Sequence, residues 1–232
     1  MIFEAIVILK KYPFILLYAI TLIVAIAHYG KYYDSSLKYF PIILLYTLMN
    51  EILGVLVQSN NNLSFFLSDF YINNNWLIYN VYDIIVHLYL FYLFWNSINN
   101  ENYRKFIVYS SVFYIVASII NPFFQNFILH PQIYAYVLAG LILICIITLY
   151  FSNRKHESKS IFGKKDFLSW IGTGLLIFYL GYLPIIIMRH YNVLYNINEP
   201  TYILSFHYGL IIVMYTFYII GFIRMRKLKT SR

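Results

Sequence analysis

The sequence predicts an all-α integral membrane protein: a bundle of seven transmembrane helices with the N-terminus outside and the C-terminus in the cytoplasm. Three observations carry this. The chain is 61% hydrophobic and only 11% charged, whereas a soluble domain carries about 25% charged residues. Its apolar residues come in blocks near the ~20 residues needed to cross a hydrocarbon layer about 30 Å thick. Its lysines and arginines fall mostly on one side of the bundle those blocks imply, as they do on cytoplasmic faces.

Taken in order, residues 1–12 (MIFEAIVILKKY) are too short to span and lack the basic-then-apolar order and the cleavage site of a signal peptide. They are expected to lie at the interface. Seven spans follow, at 13–30, 39–58, 76–96, 105–121, 131–151, 167–188 and 201–223, as one membrane domain over 1–232. Loop 59–75 mixes Asn with Phe, Leu and Tyr and is expected to be either a surface loop or a lid folded over the bundle. Pro184 is expected to kink span 6.

With seven spans, Lys10, Lys11 and Arg189 lie on the N-terminal side and the other 14 of the 17 basic residues on the opposite side. That asymmetry orients the chain. It also accounts for the net charge of +8, which sits where anionic inner-leaflet lipids are. No separate basic domain exists, so nucleic acid is not an expected partner. The single cysteine, Cys145, excludes an intramolecular disulfide and any cysteine-based metal set.

Two repeats suggest a three-plus-one-plus-three duplication. Spans 1 and 5 align Pro13, Ile15 and Tyr18 with Pro131, Ile133 and Tyr136. Spans 3 and 7 align Tyr82, Ile85 and Tyr89 with Tyr208, Ile211 and Tyr215. The 26 tyrosines make such matches easy, and interface preference and genome composition explain that tyrosine content about equally well.

Polar residues recur at helical spacing: Tyr18, Thr21, Ala25 and His28 in span 1; Thr47, Glu51, Gly54 and Gln58 in span 2; Trp76, Asn80, Asp83 and His87 in span 3; Ser111, Tyr114, Ser118 and Asn121 in span 4. Each set occupies one helix face. An ionisable group at membrane depth costs roughly 2.5–3.5 kcal/mol on insertion scales and usually faces the bundle interior. Depth then groups Glu51, Asn80, Asp83, His87 and His207, with Arg189, as the lining of one outward-facing cavity, a ligand site or a proton relay. His28, at the inner end of its helix, is outside the group. Each member has a plainer role: Asp83 and His87 neutralise each other, Glu51 makes an interhelical hydrogen bond, and Arg189 snorkels to headgroups.

Three functions fit. The first is small-molecule binding or sensing, with loop 152–166 and tail 224–232 reporting to a cytoplasmic protein partner, or an accessory role in a bacterial signalling or defence operon. The second is proton- or ion-coupled transport of a small solute. Here Pro131-Gln132 resembles the pair that PQ-loop transporters carry in spans 1 and 5, although span 1 has Pro13-Phe14. The third is an intramembrane metal hydrolase using Glu51, Asp83, His87 and His207. Span count and orientation resemble the seven-helix hydrolases that include alkaline ceramidases, but the His-x-x-x-His of their last helix is here His207 followed by Ile211. A retinal protein is excluded because span 7 has no lysine for a Schiff base. Non-enzymatic binding is favoured, with no catalytic set, metal or cofactor expected.

Asn50-Glu51-Ile52-Leu53-Gly54, Asn74-Asn75-Trp76-Leu77 and Tyr79-Asn80-Val81-Tyr82 resemble a group of small uncharacterised multi-span bacterial membrane proteins. The group's second acidic residue lies about one turn after Asp83, where this chain has His87. The resemblance covers residues 50–82 and implies a bacterial inner-membrane location, with no activity attached.

Overall fold

The computed structural model describes residues 13–59, 75–157, 162–163 and 166–226. The lead-in over 1–12, residues 60–74 of the expected lid, parts of loop 152–166, residues 227–232 of the tail and the side chain of Gln58 lie outside the described residues.

Each of the seven expected segments is an α-helix: α1 (Pro13–Ala27), α2 (Phe40–Ser59), α3 (Asn75–Ser97), α4 (Glu101–Ile120), α5 (Ile133–His156), α6 (Phe167–Leu194) and α7 (Thr201–Arg224). No strand occurs among the described residues. Among the described residues five helices, α3 to α7, are long and apolar enough to cross a membrane, and α1 is a shorter apolar helix. Bulky apolar side chains cover their outward faces, among them Ile23, Ile42, Tyr109, Phe113, Ile119 and Leu141. That is far more contiguous apolar surface than a water-soluble protein presents, so this is a multi-pass membrane protein in contact with lipid.

The boundaries differ from the apolar blocks where side chains cap the helices. α1 stops at Ala27 because its last carbonyls are taken locally: His28 Nδ1 lies 2.8 Å from Val24 O, and the Tyr32 hydroxyl donates to Ala25 O at 2.8 Å. α4 starts four residues early because Asn100 accepts from the amides of Asn102 and Tyr103 at 2.9 and 3.2 Å. α6 begins where the Asp166 carboxylate accepts from Ser169 N at 3.2 Å. It then runs through Pro184 as one 28-residue helix.

Helix contacts define a closed ring in the order α1, α2, α3, α5, α6, α7 and back to α1. α4 stands outside it against α3 and α5, burying only the stripe Ile107, Tyr114 and Ser118. The order is what two consecutive three-helix units give when α4 carries the chain from one to the other. The tightest pair is α6 with α7. At Gly174 an added Cβ would lie 2.9 Å from the Met214 carbonyl oxygen, so only glycine lets these backbones approach so closely.

The repeat expected between spans 1 and 5 agrees with this ring: Ile15 and Ile133 are both buried, and Tyr18 and Tyr136 both face its centre. The alignment expected between spans 3 and 7 is a correction. Ile211 and Tyr215 face the centre, but their proposed counterparts Ile85 and Tyr89 do not, and Ile85 is 43% exposed on the outer face. A register two residues further on pairs Tyr79, Asp83, Val86, His87 and Leu90 with His207, Ile211, Met214, Tyr215 and Tyr218, and all ten line the centre. The two-residue slip turned the helix by more than half a revolution.

Candidate functional site

The centre of the ring is a cavity of about 480 Å³, within the range of small-molecule sites. All six ring helices line it and α4 does not. Of the six residues that depth grouped in the sequence, Glu51, Asn80, Asp83, His87 and His207 line this one cavity, and Arg189 stands beside it.

Their roles divide once hydrogen bonds are assigned. Asn80 is fully engaged: its amide nitrogen donates to the carbonyls of Phe127 and His130 at 2.7 and 2.9 Å, and its oxygen accepts from Gln132 N at 3.1 Å. It ties the α4–α5 connection to α3. A buried amide network continues the tie, with Asn121 donating to Gln125 and Gln132 at 3.2 and 2.7 Å and Gln132 donating to Gln125 O at 2.6 Å. Asn80 lines the cavity as part of its wall.

His87 is also committed. Its Nδ1 lies 2.7 Å from the Asp83 carbonyl oxygen, which only accepts, so Nδ1 carries a hydrogen. Nε2 is 2.9 Å from the Tyr179 hydroxyl. His87 therefore couples α3 to α6 and does not neutralise the Asp83 carboxylate. Thr47 donates to Ile43 O at 2.9 Å, which leaves its oxygen to accept from the Tyr82 hydroxyl at 2.6 Å. The Tyr79 hydroxyl donates to Asn50 O at 3.1 Å. These two contacts fix α2 against α3. Gly54 makes room for that ring, since a Cβ there would sit 2.0 Å from the Tyr79 oxygen.

Arg189 is not a lone snorkelling side chain. Its Nε and Nη2 grip the Glu199 carboxylate at 2.9–3.0 Å, and its Nη1 lies 3.4 Å from His207 Nδ1. His207 stacks on Tyr182, with ring centroids 4.4 Å apart. Glu199 joins the loop before α7 to this edge of the cavity. Local sequence pattern does not mark Glu199, because its partner lies ten residues upstream across a helix end.

What remains is a set of polar groups with no partner among the described residues. Neither carboxylate, Glu51 on α2 or Asp83 on α3, has a hydrogen bond or an ion pair among the described residues, although the two lie within electrostatic reach of each other. Among the described residues no lysine or arginine lines the cavity. Asn50 is 2% exposed, belongs to the lining, and finds no partner for either amide atom among the described residues, which is rare for buried polar groups. Around them stand the rings of Tyr18, Tyr79, Tyr82, Tyr136, Tyr179 and Tyr215. Asn50 and the tyrosines were missed as site residues: the search was for charge, and tyrosine is so common here that composition masks position.

One end of the cavity is closed by packed aromatics. Phe40, at the start of α2, meets Phe167, Tyr218 and Phe222 at centroid distances of 6.0, 5.6 and 5.8 Å, and Phe167 meets Phe222 at 4.3 Å. Phe40, Phe167 and Phe222 are each 2% exposed or less. Below this floor, Asp166 is buried and accepts from the Tyr150 hydroxyl at 2.5 Å, from Arg154 at 2.5 Å, and from the Ser169 hydroxyl. Among the described residues no three His, Cys, Asp or Glu side chains gather to hold a metal ion. Glu51, Asp83, His87 and His207 share a cavity without converging on one point. No protein-family model, no curated protein and no solved structure matches the chain.

Proposed function

We propose that this chain is a seven-span inner-membrane protein of bacterial type that binds a small molecule in the cavity of its helix ring, as a sensor or regulator. The N-terminus is outside, and the end carrying Lys31, Lys38, Arg104, Arg154 and Arg224 is cytoplasmic. The supporting observation is one cavity in which two carboxylates and a buried amide lack protein partners. A fold maintained for packing alone has no use for them: a buried amide left unmet costs free energy, and a carboxylate at membrane depth is expensive. The aromatic belt fits the orientation: Arg104 and Arg224 lie over the rings of Trp95 and Trp170 at 4.1 and 5.3 Å, as cations and indoles do at an interface. The floor of Phe40, Phe167 and Phe222 supports a one-sided pocket over a through path. With the pocket closed on the basic side, signalling goes through helix positions to a cytoplasmic partner at the 152–166 loop and the tail.

Transport is the second reading, and the ring order favours it: two three-helix units around a central site are a transporter's architecture. Rocking of one unit against the other would open the floor.

The test is thermal unfolding of the purified protein against a panel of small molecules of differing charge. At least one chemical class should raise the midpoint by about 5 °C or more at 100-fold excess over Kd. The rise should vanish in Val86→Trp, which fills the cavity. No shift from any class, or a shift that survives Val86→Trp, would refute binding at this site. Flux of the same molecule across proteoliposomes would decide for the transporter.

A further inference from the structure

The cavity's unmatched groups also specify a charge. We infer that the ligand is a small organic cation, an amine or quaternary ammonium, held between Glu51 and Asp83 inside a cage of tyrosine rings. This rests on the binding role proposed above and names its ligand class.

The first argument is charge balance. Glu51 and Asp83 face the same space from adjacent helices, with no arginine, lysine or hydrogen-bond donor assigned to either carboxylate. Arg189, at the edge of the cavity, is occupied by Glu199, and His87 has both nitrogens engaged. An anionic ligand would meet two carboxylates and no compensating cation. A neutral ligand would leave both unpaired. A cation between them compensates both at once.

The second argument is the lining. Glu51 lies within electrostatic reach of the phenol groups of Tyr18, Tyr79, Tyr82 and Tyr215, and Asp83 of those of Tyr136 and Tyr179. Ring faces carry negative quadrupole potential, and cages of them are the recurring means of holding alkylammonium groups. A bare metal ion prefers a close oxygen or nitrogen shell, and no three His, Cys, Asp or Glu side chains gather to form one among the described residues. Tyrosine rings suit a cation whose charge is wrapped in methyl or methylene groups. The buried amide of Asn50, with no partner for either its donor or its acceptor, supplies a third point of recognition for a polar substituent. The ~480 Å³ of space admits an ion of choline's size or larger.

The experiment uses three probes of nearly one shape: choline, its uncharged carbon isostere 3,3-dimethylbutan-1-ol, and the anion 3,3-dimethylbutanoate. Calorimetric titration into the purified full chain should give choline at least 10-fold tighter binding than the alcohol, and no binding of the anion. Glu51→Gln and Asp83→Asn keep shape and remove charge. Each should weaken choline at least 10-fold, and by more than it weakens the alcohol. Tyr215→Leu, tested beside Tyr215→Phe, should lose choline where the phenylalanine variant keeps it. If choline binds no more tightly than the alcohol, or keeps its affinity in both amide variants, the cation assignment is wrong and the cavity remains a binding site of other specificity. If none of the three probes, nor phenyltrimethylammonium as a larger cation, binds the wild type at millimolar concentration, the cation assignment falls. If the broader panel described above is silent too, the binding role falls with it.

Discussion

Asp166→Ala destabilises the protein by about 3–5 kcal/mol, the cost of breaking a buried ion pair by removing one partner. The carboxylate sits where α5 ends and α6 begins and accepts from Tyr150, Arg154 and Ser169. Its side chain is 4% exposed, so no bulk water replaces it when it goes. Alanine removes the carboxylate that the Arg154 guanidinium, the Tyr150 hydroxyl and the first turn of α6 all bind. Arg154 keeps 18% of its side chain exposed, which places the loss toward the lower end of that range. Ser169→Ala removes a single donor and costs about 1 kcal/mol. Asp166→Asn keeps the shape, loses the charge, and falls between the two. Thermal unfolding in detergent reads all three. An alanine variant as stable as Ser169→Ala would mean that the cluster does not hold α5 to α6.

The second large effect is at Asn80, and it separates wall from ligand site. Asn80→Ala strands the amide of Gln132 and the carbonyls of Phe127 and His130, at about 1–3 kcal/mol for each buried group left unmet. A loss of about 3 kcal/mol is expected, since the adjoining cavity admits water to part of the cluster. The informative variant is Asn80→Asp. It points a carboxylate oxygen at two carbonyl oxygens in place of the amide's two hydrogens, so it should be at least as unstable as the alanine. A residue whose job was to contact ligand would tolerate aspartate in the fold. Equal stability of wild type and Asn80→Asp would put Asn80 back among the ligand residues.

These two positions also show what the sequence could reveal. Helix positions were legible because lipid imposes a length and a polarity that apolar blocks report directly. The polar faces of α2 and α3 were legible because a carboxylate at membrane depth has few places to go, and Glu51 and Asp83 were placed together on that ground. Asp166 was overlooked even though an aspartate just before an apolar run is a cap signal. The basic residues around it had been assigned to orientation. Asn80 and His87 were grouped with the carboxylates by helical spacing, but spacing fixes a face and says nothing of which partner fills it. The partners that tie them to other segments lie 47 to 92 residues away in sequence, beyond any local pattern. The register between α3 and α7 went wrong for a related reason: Ile and Tyr recur on every face of these helices, so identity matches carry almost no information about direction. The exclusion of α4 from the ring follows from tertiary packing alone, as its apolar content resembles that of its neighbours.

The account stands on Glu51 and Asp83 facing a shared aqueous cavity within the helix ring. The direct measurement is cysteine accessibility in sealed vesicles of known orientation. Cys145, exposed on the outer surface of α5, is first replaced by serine. Glu51→Cys, Asp83→Cys and the outward-facing control Ile23→Cys, at a position 65% exposed, are then treated with a small membrane-impermeant cationic thiol reagent. The expected result is labelling of the cysteines at 51 and 83 from the side on which the N-terminal end of α1 lies, slowed by choline, with none at 23. If the cysteines at 51 and 83 react only with a membrane-permeant reagent, as the one at 23 does, the two carboxylates face lipid or a dry interface, and the shared cavity is refuted.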